Sequence, residues 1–196
     1  MENELDIAVL VGSLRKGSYT RKVAHHLGSY PGILRMRHVE IGNLPLYDQD
    51  LDAGDSPPRE WREFRQQIKA ADGVLFATPE YNRSVPGVLK NAIDVGSRPY
   101  GDSAWDGKPA AIVSVSPGAI GAFGANHHLR QSLVFLNMPT MQQPEAYVGG
   151  AADLFDDDGN ITRKSTDDFL RTFVEAFSRW VTLHQPRVAE AALALR

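Results

Sequence analysis

Three short apolar runs limit most strongly what this chain can fold into. They are Leu5–Val11 (LDIAVLV), Gly73–Ala77 (GVLFA) and Ala110–Val115 (AAIVSV). Each is too uniformly apolar to keep a solvent-facing side and too short for a buried helix. Each ends in a loop rich in Gly, Pro or Ser, which predicts buried strands. Helical periodicities lie between them. Thr20–Tyr30 places Val23, Leu27 and Tyr30 at spacings of four and three, and Pro31-Gly32 ends it. Trp61, Phe64, Ile68 and Ala71 form a second stripe, for which Ser56 is the expected N-cap and Pro57 the first helical residue. Ser84 is expected to cap a third helix that buries Val85, Val88, Leu89, Ala92 and Ile93. Further helices are predicted over Gly124–Phe135 and Thr166–His184, the last with Leu170, Phe173, Phe177 and Val181 inward. Met36–Ile41 and Thr140–Tyr147 read as weaker strands, the second at an edge because Pro144 does not suit a central strand. Strands that alternate with helices in this way form a parallel sheet covered on both faces.

The chain has 196 residues, and 1–196 is read as one α/β domain, with 186–196 a short helix or a frayed tail. A formal charge of −3 offers no general attraction to nucleic acid or to an anionic membrane. Cysteine is absent, which excludes disulfides, thiolate nucleophiles and cysteine-ligated metals. The opening MENELDIAVLVG carries early acidic charges and an apolar run only from Ile7 to Val11. It reads as neither signal peptide nor membrane span, and the cytoplasm is the expected compartment.

In open parallel sheets, ligands sit beyond the carboxyl ends of the strands. The first such loop, Gly12–Ser18, has two glycines for close backbone approach, hydroxyls at Ser13 and Ser18 with Thr20 just beyond, and the planar fork of Arg15. Its N–H groups and those of the next helix start can face an anion. Neither the dinucleotide Gly-x-Gly-x-x-Gly pattern nor the triphosphate Gly-Lys-Ser/Thr pattern is present, so a lone monophosphate fits best. A capped strand–helix turn with a surface arginine also produces this pattern. The second loop, TPEYNRSVPG, offers Pro79 as a stiff wall, N–H groups of Glu80 to Asn82 and the ring of Tyr81 to a flat heterocycle. Tyr81 as half-buried packing and Glu80 as a loop or interface carboxylate are the alternatives. In the third loop, SPGAIGAFG, Ser114 and Ser116 are candidates for a ring's polar edge, and Gly118 and Gly121 leave room for it.

With these residues in hand, the chain resembles the NADPH-dependent FMN reductase family of the flavodoxin-like superfamily, nearest its bacterial quinone and chromate reductases. The matching stretches are GSLRKGSYT at 12–20, TPEYNRSVPGVLKNAID at 78–94 and SPGAIGAFG at 116–124. The resemblance implies a doubly wound five-stranded parallel sheet in the order 2-1-3-4-5 and one FMN per subunit. It places Ser13, Arg15, Ser18 and Thr20 around the FMN phosphate. It places Pro79, Glu80, Tyr81 and Asn82 along the isoalloxazine, with Ser116 and Gly118 at its border. It also implies homodimers with the 84–94 helix near the contact, and tetramers built from them. Thr20, Ala122 and Gly124 depart from the residues many relatives carry there.

The implied chemistry is hydride transfer from NADPH or NADH to flavin N5, then electron transfer to a quinone, chromate, a ferric complex or an azo dye in a ping-pong scheme. It requires no protein nucleophile or general acid, so no catalytic residue is assigned. The alternatives are an FMN-binding electron carrier without nicotinamide turnover and a flavin-free regulatory or structural domain on the same scaffold. None of His25, His26, His38, His127, His128 and His184 falls in a metal-ligand spacing, and no metal is expected. Asp156-Asp157-Asp158-Gly159-Asn160 lacks the full calcium-loop spacing and reads as a solvated turn.

Overall fold

A computed structural model describes residues 4–54, 56–156 and 159–185. The expected 186–196 tail and part of the Asp156–Asn160 turn lie outside the described residues. In chain order the elements are β1 (Leu5–Val11), α1 (Tyr19–Leu27), β2 (Leu34–His38), α2 (Gln49–Asp52), α3 (Arg59–Ala70) and β3 (Gly73–Thr78). Then follow α4 (Gly87–Gly96), β4 (Ala110–Val115), α5 (Phe123–Phe135), β5 (Ala146–Val148) and α6 (Lys164–Leu183). The five strands are all parallel and run β2-β1-β3-β4-β5 across the sheet. This is the doubly wound, flavodoxin-like order, with β1 and β3 at the point where the winding reverses.

Successive strand side chains point to opposite faces, and two cores result. Ile7, Val9 and Val11 pack with Val23 and Leu27 of α1 and with Phe173 and Phe177 of α6. Ala8 and Leu10 pack with Trp61 and Phe64 of α3, Leu89 of α4, Trp105, and Leu129 of α5. The central strands β3 and β4 are buried along their whole length, which is why their sequences read as continuous apolar runs.

Several boundaries differ from the sequence reading, mostly at prolines. Ser56 does not cap α3. Pro58 occupies the cap position, and it keeps Pro57 out of helical geometry. Ser84 does not cap α4 either. Pro86 sits at that cap and forces Val85 to be extended, while Ser84 pairs with Tyr81. β5 is only Ala146–Val148, because Pro144 has no N–H to give a ladder. Thr140 makes one isolated bridge to Ala110. β2 spans Leu34–His38 and the chain then turns away, though the Val39 N–H still reaches the Val9 carbonyl at 2.9 Å.

Candidate active site

β1, β3 and β4 deliver the three loops singled out above to one rim of the sheet. At Gly12 the first loop still pairs with β3, its N–H donating to the Ala77 carbonyl at 2.8 Å. A Cβ at Gly12 would lie 3.2 Å from both Pro79 Cδ and Leu89 Cδ2, so the absence of a side chain lets the first two loops meet. Beyond Gly12 the backbone stops bonding to itself. By hydrogen-bond geometry, the N–H groups from Ser13 to Gly17 have no acceptor among the described residues. The N–H groups of Tyr19 and Thr20 are orphans of the helix start. Ser18 caps α1, its Oγ accepting the Arg21 N–H at 3.1 Å, and its own hydroxyl proton stays free to donate. Ser13, Ser18 and Thr20 are recessed, whereas Arg15 projects into solvent. Such a concave run of unspent donors at a helix N-terminus suits a phosphate ester.

The second loop is a tight two-residue hairpin. Tyr81 and Ser84 exchange both backbone bonds, at 3.2 and 3.0 Å, around Asn82 and Arg83 with φ of 50° and 64°. The Tyr81 N–H is therefore spent inside the loop, while those of Glu80 and Asn82 have no backbone acceptor among the described residues. The Tyr81 ring is 52 % exposed at the rim. Glu80 has a role the sequence reading missed. Its Oε2 accepts the Ala125 N–H at 3.0 Å and so caps α5 from another loop. The signal was present: α5 opens after Gly121-Ala122, which carry no capping side chain.

The third loop is packed hard against the exit of β5. Gly121 has φ +62°, and a Cβ there would sit 2.6 Å from the Tyr147 carbonyl carbon. The Ser116 N–H donates to the Val148 carbonyl at 3.0 Å, and Ser116 Oγ accepts the Gly118 N–H at 3.0 Å. The backbone N–H groups of these two residues are thus spent, and only the Ser116 hydroxyl proton stays free to donate. Ser114 does not reach the rim, contrary to the expectation. It is fully buried, and its hydroxyl donates to the Gly121 carbonyl at 2.7 Å while accepting from Asn126 Nδ2 at 3.2 Å. Ile120 and Phe123, like Tyr81, keep large apolar side chains exposed. Phe123 leans on His127 and Tyr147, and His127 Nε2 lies 3.1 Å from the Tyr147 hydroxyl. Burial and a hydrogen bond to Glu145 push the Tyr147 phenol up to about 12, so it stays neutral.

Two cavities of about 610 and 620 Å³ lie elsewhere, lined by Leu27, Ile33 and Val174 and by Arg98, Asp102 and Asn137. Both are at the amino ends of the strands, the wrong end for a ligand of this fold.

Comparison with known proteins decides what such a rim belongs to. The model of the family described as NADPH-dependent FMN reductase matches residues 5–153. The chain belongs to the NADPH-dependent FMN reductase family. Like others of this FMN reductase family it is an oxidoreductase, with FMN and a reduced nicotinamide nucleotide as its cofactors. A quinone reductase of Pseudomonas putida is 62 % identical over 186 residues, 94 % of this chain and 99 % of that protein. A 2-hydroxy-1,4-benzoquinone reductase of a Burkholderia species is 48 % identical over 178 residues, 90 % of this chain and 96 % of that one. Among solved structures, FerB, a flavoenzyme NAD(P)H:(acceptor) oxidoreductase from Paracoccus denitrificans, superposes with a TM-score of 0.83 at 43 % identity. It covers 92 % of this chain and 98 % of its own. Among the described residues, no helix is long and apolar enough to cross a membrane, and no cluster of three or more acidic or imidazole groups is placed to hold a metal.

Proposed function

We propose that this protein is an NAD(P)H-dependent quinone reductase that holds FMN on the rim formed by its first three strand–helix loops. The observation that carries the reading is the run of unpartnered N–H groups from Ser13 to Gly17, continuous with the start of α1. A phosphate ester there receives those donors, the hydroxyls of Ser13, Ser18 and Thr20, and the charge of Arg15. Pro79 and the backbone of Glu80, Tyr81 and Asn82 line one side of the isoalloxazine, and Ser116 and Gly118 border it. Glu80 acts there through position: by capping α5 it ties the second loop to the helix that follows the third.

Held by these loops, FMN would supply the redox chemistry, accepting a hydride from the nicotinamide and passing two electrons to the acceptor, so that with protons from solvent a quinone would become a hydroquinone. The chain's part is to orient both substrates against one face. Tyr81, Ile120 and Phe123 supply an apolar shelf for a flat partner. One shelf used by two substrates in turn implies a ping-pong order. No residue of the chain needs to act as acid, base or nucleophile.

The 48 % identical relative named for a benzoquinone favours quinones over chromate, ferric complexes or azo dyes as the natural acceptor. We place the enzyme in the cytoplasm as a homodimer joined along the α4–α5 face, where Val134 and Phe135 project into solvent. Two dimers pair into a tetramer. Steady-state turnover of the FMN-loaded protein with NADH and NADPH against these acceptors tests the function. Converging double-reciprocal lines, in place of parallel ones, would contradict the ping-pong order. NADPH that fails to bleach the bound flavin would leave an electron carrier as the function.

A further inference from the structure

A groove lined by one arginine and two histidines lies between α1 and the β2 edge of the sheet, behind the first loop, with a volume of about 330 Å³. Val9 and Val11 form its floor, Ala24 and Gly28 one wall and Met36 the other, with Arg21, His25 and His38 around them. Two periodicities bring these groups together. Met36 and His38 share a face of β2 and pair in register with Ile7 and Val9. Arg21, Ala24, His25 and Gly28 recur every three to four residues along one side of α1.

Arg21 points to a ligand. It lines the groove, and its buried Nε has no hydrogen-bond partner among the described residues, a costly state for a charged donor. Its Nη2 lies 3.4 Å from the Ser13 carbonyl, which steadies the guanidinium without neutralising it. Arg35, Arg37 and Arg65 each meet a carboxylate, whereas Arg21 makes no ion pair among the described residues. His38 reports the same local field. Burial lowers its imidazole from the ordinary 6.5, Glu40 opposes that, and Arg21 and His25 push it further down. The Glu40 carboxylate is already engaged by the Gly42 N–H at 2.7 Å.

We propose that this groove binds a small organic carboxylate with a compact apolar body, its oxygens on the Arg21 guanidinium and its body between Met36, Ala24 and the two valines. A guanidinium recognises a carboxylate directionally, and apolar walls favour a ring over a bare, strongly hydrated ion. The volume has room for a single ring with a short substituent. The proposal does not rest on the flavin reading and is measured both with and without FMN.

The test uses benzoate as the probe, with acetate and inorganic phosphate as controls, titrated into the full-length protein. Binding is read by calorimetry and by the His25 and His38 ring resonances. Saturable one-site binding of benzoate is expected, at least ten-fold tighter than acetate or phosphate, with an upward shift of the His38 titration. Arg21→Ala should weaken it at least ten-fold, and His25→Glu, a change at an exposed site that spares the fold, several-fold. Absence of saturable binding, or affinity unchanged in both variants, would overturn the proposal. Phosphate binding as tightly as benzoate, or displacement of benzoate by FMN, would overturn it equally.

Discussion

Arg15 is exposed and extends from a loop whose backbone donors are unspent. A charge-assisted contact of this kind contributes about 1–2 kcal/mol, so Arg15→Ala should weaken FMN binding by about ten-fold. Hydride transfer in single turnovers of the fully loaded variant should be unchanged. Unaltered affinity would remove Arg15 from the phosphate seat. Glu80 carries a different kind of load. Glu80→Ala deletes the acceptor for the Ala125 N–H and should cost about 1 kcal/mol in urea unfolding, while Glu80→Gln keeps an acceptor and should cost less. Equal losses in the two variants would mean that charge at the α5 terminus, not the hydrogen bond, is what matters. Gly121 admits no side chain. Its φ is +62° and a Cβ would strike the β5 backbone at 2.6 Å, so Gly121→Ala should lose more than about 2 kcal/mol by the same measurement.

At the scale of elements, α1 and α6 are held together by more than apolar contact. The Tyr30 hydroxyl donates to Asp167 Oδ1 at 2.5 Å, His26 Nε2 lies 2.7 Å from the same oxygen, and Arg171 covers the Tyr30 ring. The hydrogen bonds from Tyr30 and His26 hold the Asp167 carboxyl below its ordinary 3.8. A carboxyl depressed in the folded state stabilises it above the unfolded value, and that stability is lost as pH falls through the folded one. Urea midpoints should therefore drop below about pH 4 in the natural protein, and Asp167→Asn should flatten that limb. An acid limb of the same depth in the variant would show that other carboxylates set it. The same elements show what could be read in advance. β1, β3 and β4 were legible because both their faces are buried, and α6 because its stripe of Leu170, Phe173, Phe177 and Val181 is long. The starts of α3 and α4 were not, because a serine three residues ahead of a helix looks like a cap until a following proline is seen to forbid it. That the Gly12 loop leaves its N–H groups turned away from the sheet at a helix start was legible from its glycines and hydroxyl residues. The spending of the Tyr81 N–H within its own loop was not, because that pairing depends on positive φ values that Asn82 and Arg83 adopt only in the folded chain.

For the whole molecule, the rim is an open ledge rather than a closed cleft, with Tyr81, Ile120 and Phe123 all substantially exposed. In the homodimer proposed above, the second subunit is the wall for it. Phe135 is 79 % exposed on the face assigned to the dimer, so Phe135→Glu should lower the mass seen in light scattering. An unchanged dimer would move the contact elsewhere. The most direct measurement is the affinity of the flavin-free protein for FMN beside riboflavin, which differs only in lacking the phosphate. If two or three charge-assisted bonds from the first loop hold the phosphate as proposed, FMN should bind at least about a hundred-fold tighter. Equal affinities would contradict a phosphate seat at Ser13–Thr20.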